Sequence, residues 1–276
     1  MNPLDLWDFG DPGASLERFR HVVHNAAVDM DKAFALTQVA RALGIQGHFV
    51  EARAALAEAG QLLPASGKQR AQYWIELGRI ENDEHNPVEA LACFQRSLAL
   101  ATDAQDEYLR VDAAHMIAIV VPKEEQPESG EFALSLARNA ADEKTRHWTG
   151  PIANNLGWTY MESGQPENAV KYFRESLAYR LTQKEPAPVR LARYALGCAL
   201  RGSHHFDEAV LMLNEALAMG GSIGFIEEEL AECLFSLGKT AQAKPLFQAA
   251  HNKLKANTNL GEREPERLSR LLKRSL

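Results

Sequence analysis

The sequence contains histidines and carboxylates whose spacing decides whether they could form a catalytic or metal-binding site. His21 and His24 stand three residues apart, so on a helix they could share a metal ion, but no third ligand lies near them in the sequence. His204 and His205 are adjacent and fall in a predicted turn. The run 227–229 is three consecutive glutamates, which on a helix point to different sides instead of pairing as acid and base. These patterns give no complete site.

The three cysteines give no reactive site either. Cys93, Cys198 and Cys233 are far apart, and no Cys-X-X-Cys pair is present to suggest zinc or redox chemistry. Asp8-Phe9-Gly10 matches the metal-binding triplet of protein kinases, but the other kinase motifs do not accompany it. A glycine-rich phosphate loop and a dinucleotide fingerprint are also missing. We therefore predict a protein that is not an enzyme and that binds no metal and no cofactor.

Composition favours helices and restricts the partners. The 276 residues are 46% hydrophobic and rich in alanine, leucine and glutamate, which have high helix propensity. A formal net charge of -7 argues against general nucleic-acid binding, which needs lysine and arginine to displace counterions. No apolar run approaches the ~20 residues that span a bilayer, and the acidic N-terminus is unlike a signal peptide. We expect a cytoplasmic protein that binds neither nucleic acid nor membrane.

A repeated pattern of small and large residues organises the chain. Its clearest copy runs from Asn155 through Leu156, Gly157, Trp158 and Tyr160 to Gly164, Ala169 and Phe173. Six small residues share the place of Ala169, each followed four residues later by a larger apolar residue: Ala52, Ala90, Gly130, Ala169, Ala209 and Ala243. Another small residue lies twelve positions before each of them: Ala40, Gly78, Ala118, Gly157, Gly197 and Ala231. Two helices that cross closely need small side chains at the crossing, so the pattern predicts helical hairpins.

This pattern resembles the tetratricopeptide repeat over residues 33–255. The resemblance implies an all-α fold, a right-handed α–α superhelix of about six hairpins with a cap helix at each end. We expect an N-terminal segment and cap at 1–32, a C-terminal cap at 262–276, and hairpins at 33–66, 71–105, 107–142, 150–182, 189–220 and 224–255. The third hairpin is the most divergent, and its regularity is left open by the sequence.

The repeats are longer than the usual period. Successive small residues of the second helices lie 38, 40, 39, 40 and 34 residues apart, against about 34 in the family. Because the segment Ala99 to Arg110 lacks glycine and proline, we expect the extra length in longer helices. This is similar to the repeats of kinesin light chains and of bacterial peptide-sensing regulators, which leads us to expect a bacterial protein.

The resemblance also implies where partners bind. Proteins of this family use the concave groove lined by the first helix of each hairpin, at positions six and three residues before and one and four residues after the small residue. The candidate contacts at these positions are Arg41, Arg79, Asn82, His115, Asn154, Trp158, Tyr194, Arg201, Glu228 and Glu232. Amides pair with a peptide backbone as donor and acceptor, and aromatic rings supply contact area.

Two hypotheses about this groove follow, each with a structural alternative. A peptide could lie with its acidic end toward Arg41 and Arg79, or these arginines could pair with neighbouring carboxylates instead. Trp158 could contact the partner or pack within the core. We predict a non-enzymatic scaffold that binds a protein or peptide; the alternative is a sensor whose superhelix changes shape on binding a small peptide or metabolite. A homo-oligomer is compatible with either.

Overall fold

The computed structural model describes residues 6–257 and 263–276, in which the regular secondary structure is helical. Helix α1 (Pro12–Asn25) precedes three hairpins: α2 (Asp29–Ile45) with α3 (Phe49–Leu62), α4 (Lys68–Asp83) with α5 (Pro87–Asp103), and α6 (Glu107–Val120) with α7 (Gln126–Asn139). After the one-turn helix α8 (Glu143–Arg146) come α9 (Thr149–Glu162) with α10 (Pro166–Gln183), α11 (Pro186–Gly202) with α12 (Phe206–Ala218), and α13 (Phe225–Ser236) with α14 (Thr240–Ala256). Helix α15 (Pro265–Ser275) follows.

The predicted all-α fold of helical hairpins is confirmed for the described residues. We call the first helix of each hairpin the A helix and the second the B helix. The chain forms two compact units, here described separately as unit 1, up to Trp148, and unit 2, from Thr149. Residues 1–5 of the predicted N-terminal segment and residue 262 of the predicted C-terminal cap lie outside the described residues.

Close approach of the A and B helices holds each hairpin together. A Cβ atom added to Gly78 would lie 2.5 Å from the ring of Phe94, and one on Gly157 would lie 2.5 Å from the ring of Phe173. Both phenylalanines are fully buried, so each B-helix ring lies directly against the backbone of its A helix. The twelve-residue spacing between small residues therefore marks a packing contact, as the sequence pattern predicted.

Longer helices account for part of the extra repeat length, while between α7 and α9 the extra residues form α8 and its flanking turns; the third pair is regular. Helices α5, α10 and α11 have 17, 18 and 17 residues. Helices α6 and α7 pack together, with Ala133 and Leu134 of α7 fully buried. The sequence did not predict α8, whose first turn is capped by Asp142; its carboxylate accepts from the backbone N–H of Thr145 at 2.8 Å and from the Thr145 hydroxyl at 2.6 Å.

Not every turn uses glycine. Gly47 joins α2 to α3 with a φ of 78°, in the left-handed region that glycine adopts without steric cost. The equivalent turn between α4 and α5 places His85 in the same region, at a φ of 65°. Histidine is one of the few residues that tolerate this conformation, but its presence gives no turn signal in a sequence.

Terminal helices cover the outer hairpin of each unit. In unit 1, Leu16 and Phe19 of α1 are buried in a cluster with residues of α2 and α3. In unit 2, Leu271 of α15 is fully buried beside residues of α14, including Phe247. Among the described residues, no helix combines the length and apolarity needed to cross a membrane.

We expect Gly78→Ala to destabilise the protein by about 1–3 kcal/mol, because the added methyl group must displace Phe94 from a filled core. Gly44→Ala is the matched control in the neighbouring A helix. Among the described residues, a Cβ there contacts Ile80 at an ordinary distance of 3.7 Å. The higher helix propensity of alanine should therefore raise the free energy of unfolding by about 0.5–1 kcal/mol. Denaturant unfolding of both variants measures the two changes. Equal effects would contradict the proposed contact.

Candidate functional site

The candidate site is the side of the A helices that carries the predicted groove positions. We call it the A-helix face. The position three residues before the small residue is mostly closed: Thr37, Ile75, His115 and Glu228 are buried there. Neighbouring A helices pack against one another, α2 on α4 and α4 on α6 in unit 1, and α9 on α11 and α11 on α13 in unit 2. His115 and Glu228 were expected as surface contacts, and the structure instead places them between helices.

A buried chain of charges runs across the A-helix face of unit 1. Arg79 donates from Nη2 to both oxygens of Asp112, at 2.6 and 2.8 Å, and from Nη1 to Glu76 Oε1 at 2.7 Å. Gln72 Nε2 also donates to Glu76 Oε1, at 2.6 Å. Arg41 Nη1 lies 3.6 Å from the same oxygen. The pairing of both arginines with neighbouring carboxylates, the structural alternative above, is therefore what the structure contains.

These charges are held in a nearly water-free environment. Glu76 and Asp112 are each 1% exposed, and Glu76 Oε2 has no hydrogen-bond partner in the described part of the chain. Burial acts to lower the pKa of Arg79, but the carboxylates of Asp112 and Glu76 outweigh it and the pKa is raised. Arg79 thus stays charged, and its donors are committed within the protein.

Residues near the N-terminus cover Arg41, a contact that the sequence analysis missed. The rings of Trp7 and Phe9 stack at 4.9 Å, and the Arg41 guanidinium lies 5.5 and 5.4 Å from their centroids. Trp7 Nε1 donates to Gln38 Oε1 at 2.8 Å. Two aromatic residues separated by one residue were the only signal in the sequence. They place an aromatic cover over the basic group that was expected to meet a ligand.

His115 lies at the end of the buried charges. Its ring is 5.4 Å from that of Trp148. Burial lowers the pKa of His115, although the nearby Asp112 carboxylate acts in the opposite direction. The imidazole is therefore neutral in the folded protein at pH 7, and it packs between α6 and the segment that follows α8.

Unit 2 leaves more of its A-helix face open. Trp158 is half-buried and meets Phe173 edge-on at 5.2 Å, so one side packs on the core while the rest stays accessible. Among the described residues, Asn154 Nδ2 reaches only Asn155 Oδ1, at 3.4 Å. Burial raises the pKa of Tyr194, which is also half-buried. Arg201 is paired, with Nε 2.5 Å from Glu229 Oε2.

Helix α15 neutralises the acidic end of this face. Glu228 accepts from Arg267 Nε at 2.8 Å and from Arg270 Nη2 at 2.7 Å. Glu232 accepts from Arg274, whose guanidinium also lies 5.0 Å from the ring of Phe235. The two glutamates expected to attract a basic ligand are therefore already paired with arginines of the same chain.

Chemistry-bearing groups elsewhere are dispersed. In the described ranges, 6–257 and 263–276, no three side chains of histidine, cysteine, aspartate or glutamate lie close enough to hold a metal ion. Burial raises the pKa of Cys93 to about 11 and that of Cys233 to about 12. Burial likewise raises the pKa of Cys198. All three are therefore protonated thiols at neutral pH.

Comparison with known proteins supports the fold of helical hairpins. The sequence model of the tetratricopeptide repeat matches residues 151–182, the fourth hairpin. The chain has the tetratricopeptide-repeat fold. No curated protein sequence matches it.

Solved structures of repeat proteins superpose on the chain. The apo form of RapI has a TM-score of 0.74 at 12% identity, covering 95% of this chain and 79% of RapI. The apo form of the quorum sensor NprR from B. thuringiensis has a TM-score of 0.63 at 14% identity, covering 94% of this chain and 74% of NprR. Repeats of a putative kinesin light chain from Podospora anserina give 0.58 at 17% identity, covering 69% and 97%. The resemblance to kinesin-light-chain and bacterial peptide-sensor repeats is thus confirmed for the fold.

We expect Asp112→Asn to destabilise the protein by about 3 kcal/mol or more, because it leaves the buried Arg79 charge without its bidentate partner. Glu58→Gln is the matched control. It removes one partner of the exposed Lys32–Glu58 pair in the same unit and should cost less than about 1 kcal/mol. Urea unfolding at neutral pH measures both. A small loss for Asp112→Asn would mean that the buried charges contribute little.

We also expect His115 to make stability depend on pH below its ordinary pKa of 6.5. Because burial lowers its pKa in the folded state, the unfolded chain binds the proton first as the pH falls, and folding stability is lost. The free energy of unfolding should therefore decrease less for His115→Gln than for the wild type between about pH 7.5 and 5.5. The exposed His24→Gln variant controls for removing a histidine from unit 1. Parallel curves for wild type and His115→Gln would contradict this role.

Proposed function

We propose that the protein is a non-enzymatic scaffold that binds a peptide segment or a partner protein through the open positions of its A-helix face. The observation that carries this proposal is a set of large apolar side chains left uncovered at groove positions. Leu191 is 57% exposed, Phe235 44% and Ile119 43%. Interfaces take most of their binding energy from a few such anchors.

Polar side chains suited to a peptide backbone accompany these anchors. Asn82 and Asn154 are partly exposed, and their amides make only long contacts with Asp83 and Asn155, at 3.5 and 3.4 Å. Each amide therefore has donors and an acceptor free for a partner. Trp158 and Tyr194 add half-buried ring surface nearby on α9 and α11.

The internal ion pairs change the kind of partner that we propose. Arg41 and Arg79 share the Glu76 carboxylate, and Glu228 is paired with arginines of α15. A strongly charged peptide would have to displace these pairs and leave a buried charge unmatched. We therefore propose a partner segment that is apolar and hydrogen-bonding, in place of one oriented by an acidic and a basic end. The cytoplasmic location and the absence of nucleic-acid partners stay part of this proposal.

A second candidate function is a peptide sensor. It is favoured by the fold similarity to the quorum sensor NprR, which extends over 94% of this chain. A scaffold and a sensor share the same binding surface and differ in the response to the ligand. A change in the radius of gyration on saturation with peptide would favour the sensor, and an unchanged value would favour the scaffold.

Peptide display on the full chain, followed by affinity measurement on an enriched peptide, tests the proposal. We expect Leu191→Ser to lose about tenfold or more in affinity, because it removes the most exposed anchor of unit 2 named above. The matched control is Leu211→Ser, which removes a leucine of similar exposure, 54%, from a B helix of the same unit.

The control variant should keep the wild-type affinity. An equal loss in both variants, or a larger loss in the control, would overturn binding through the A-helix face. Because both side chains are exposed, neither variant should lower stability greatly.

A further inference from the structure

Unit 1 contains a cleft that includes two groove positions of the A-helix face, Phe34 and Gln72, and none of its exposed anchors. It lies at the N-terminal ends of α2, α4 and α6, beside the end of α1 and the start of α8, and its volume is about 930 Å³. This is at the upper end of the range of about 300–1,000 Å³ for small-ligand sites in proteins. Such a space is large enough to enclose most of a drug-sized molecule.

The walls of the cleft are mostly apolar. Met30 and Phe34 contribute from the first turns of α2, and Tyr108 and Leu109 contribute from α6. Met30, Phe34 and Tyr108 are only half-buried, so a ligand could cover further apolar surface on each of them. Removing this apolar surface from water supplies free energy of binding.

Amide groups line the same cleft. The side chain of Gln72 is nearly buried; its Nε2 donates to Glu76 at 2.6 Å, and its Oε1 accepts no hydrogen bond in the described part of the chain. Gln69, one turn earlier, also faces the cleft. Helix α4 begins after Gly67, which supplies no side-chain cap, so the first backbone N–H groups of α4 are left for another acceptor.

Some charged groups of the cleft are paired within the protein, and others have no ion-pair or hydrogen-bond partner among the described residues. Asp106 and Asp142 accept backbone hydrogen bonds as the caps of α6 and α8. The side chains of Asp31 and Lys68 form no ion pair or hydrogen bond with any other described residue, and they lie on the cleft with opposite charges. A ligand that satisfies all of these groups is apolar in its body and carries amides, an amine and a carboxylate.

We propose that this cleft binds a short apolar peptide with free ends. The inference rests on the proposed peptide-binding function and assigns it a second subsite in unit 1. A fatty acid would fit the apolar walls but would offer no donor to the Oε1 of the nearly buried Gln72, which costs binding free energy. A nucleotide would bring its phosphates to a cleft that holds three aspartates and two lysines.

A ligand in the cleft would also affect the buried charges of unit 1, because Gln72 contacts both. A peptide that donates to Gln72 Oε1 holds this side chain in place, and its amide is the group that donates to Glu76. Glu76 in turn accepts from Arg79, which is paired with Asp112 of α6. The bound peptide thus stabilises the contacts that join α4 to α6.

Calorimetric titration of the full chain with the tripeptide Leu-Phe-Leu tests this proposal. We expect binding to weaken about tenfold or more in Ala27→Trp, because the indole fills the cleft that Ala27 lines. Ala54→Trp places the same side chain on the exposed side of α3 and should bind as the wild type does. Thermal unfolding of both variants confirms that they are folded.

A second pair of measurements tests the free ends without altering the volume of the cleft. Acetylated and amidated Leu-Phe-Leu should bind the wild type more weakly than the free tripeptide, and Asp31→Asn with Lys68→Gln should remove that difference. No binding of Leu-Phe-Leu, equal binding by the two tryptophan variants, or tighter binding of decanoate would overturn the proposal.

The two proposals fail separately. The Leu191→Ser variant should bind Leu-Phe-Leu as the wild type does, since Leu191 does not line the cleft. Loss of the tripeptide in that variant would assign it to the A-helix face and overturn the cleft. If Ala27→Trp still binds a display-selected peptide, the proposed function stands, even if the tripeptide does not bind the cleft.

Discussion

The contact between a glycine or alanine of an A helix and a large apolar residue of its B helix is the constraint on which the hairpins depend. At Gly78 and Gly157 the facing phenylalanine ring lies where a Cβ would be, so the helix axes cannot separate without opening a cavity. This contact determines which side of each A helix packs against its own B helix. The remaining side must serve both for packing on the next A helix and for any partner.

Sharing one helix side between packing and binding explains the placement of the charges. Buried carboxylates are costly unless they are paired, and unit 1 places Glu76 and Asp112 between A helices together with Arg79. In unit 2 the arginines of α15 do the same for Glu228. Both units therefore join neighbouring helices with ion pairs, and the charges named here are paired within the chain. Specificity is then left to apolar shape and amide hydrogen bonds.

The fold could be predicted from the sequence because its determinants are local. The small residues lie twelve positions apart within one hairpin, so Gly78 and Ala90 mark both helices of the second repeat. The site could be predicted only in part. Whether Arg79 faces a ligand depends on Asp112, which lies 33 residues away on the next A helix, and no local spacing reveals such a pairing. The cover of Trp7 over Arg41 depends likewise on the path of an irregular segment.

The cleft escaped sequence reasoning for the same physical reason. It is formed by helix starts from three hairpins and by α8, a one-turn helix whose only signal was the cap at Asp142. Phe34 and Gln72 lie six residues before the small residues Ala40 and Gly78, so the repeat pattern marks them as groove positions and gives no sign of a cleft. The structure shows that Gln72 belongs to both regions, with its amide on Glu76 and its side chain in the cleft wall. A single glutamine between the cleft and the buried charges gives unit 1 a direct physical route from ligand contact to helix packing.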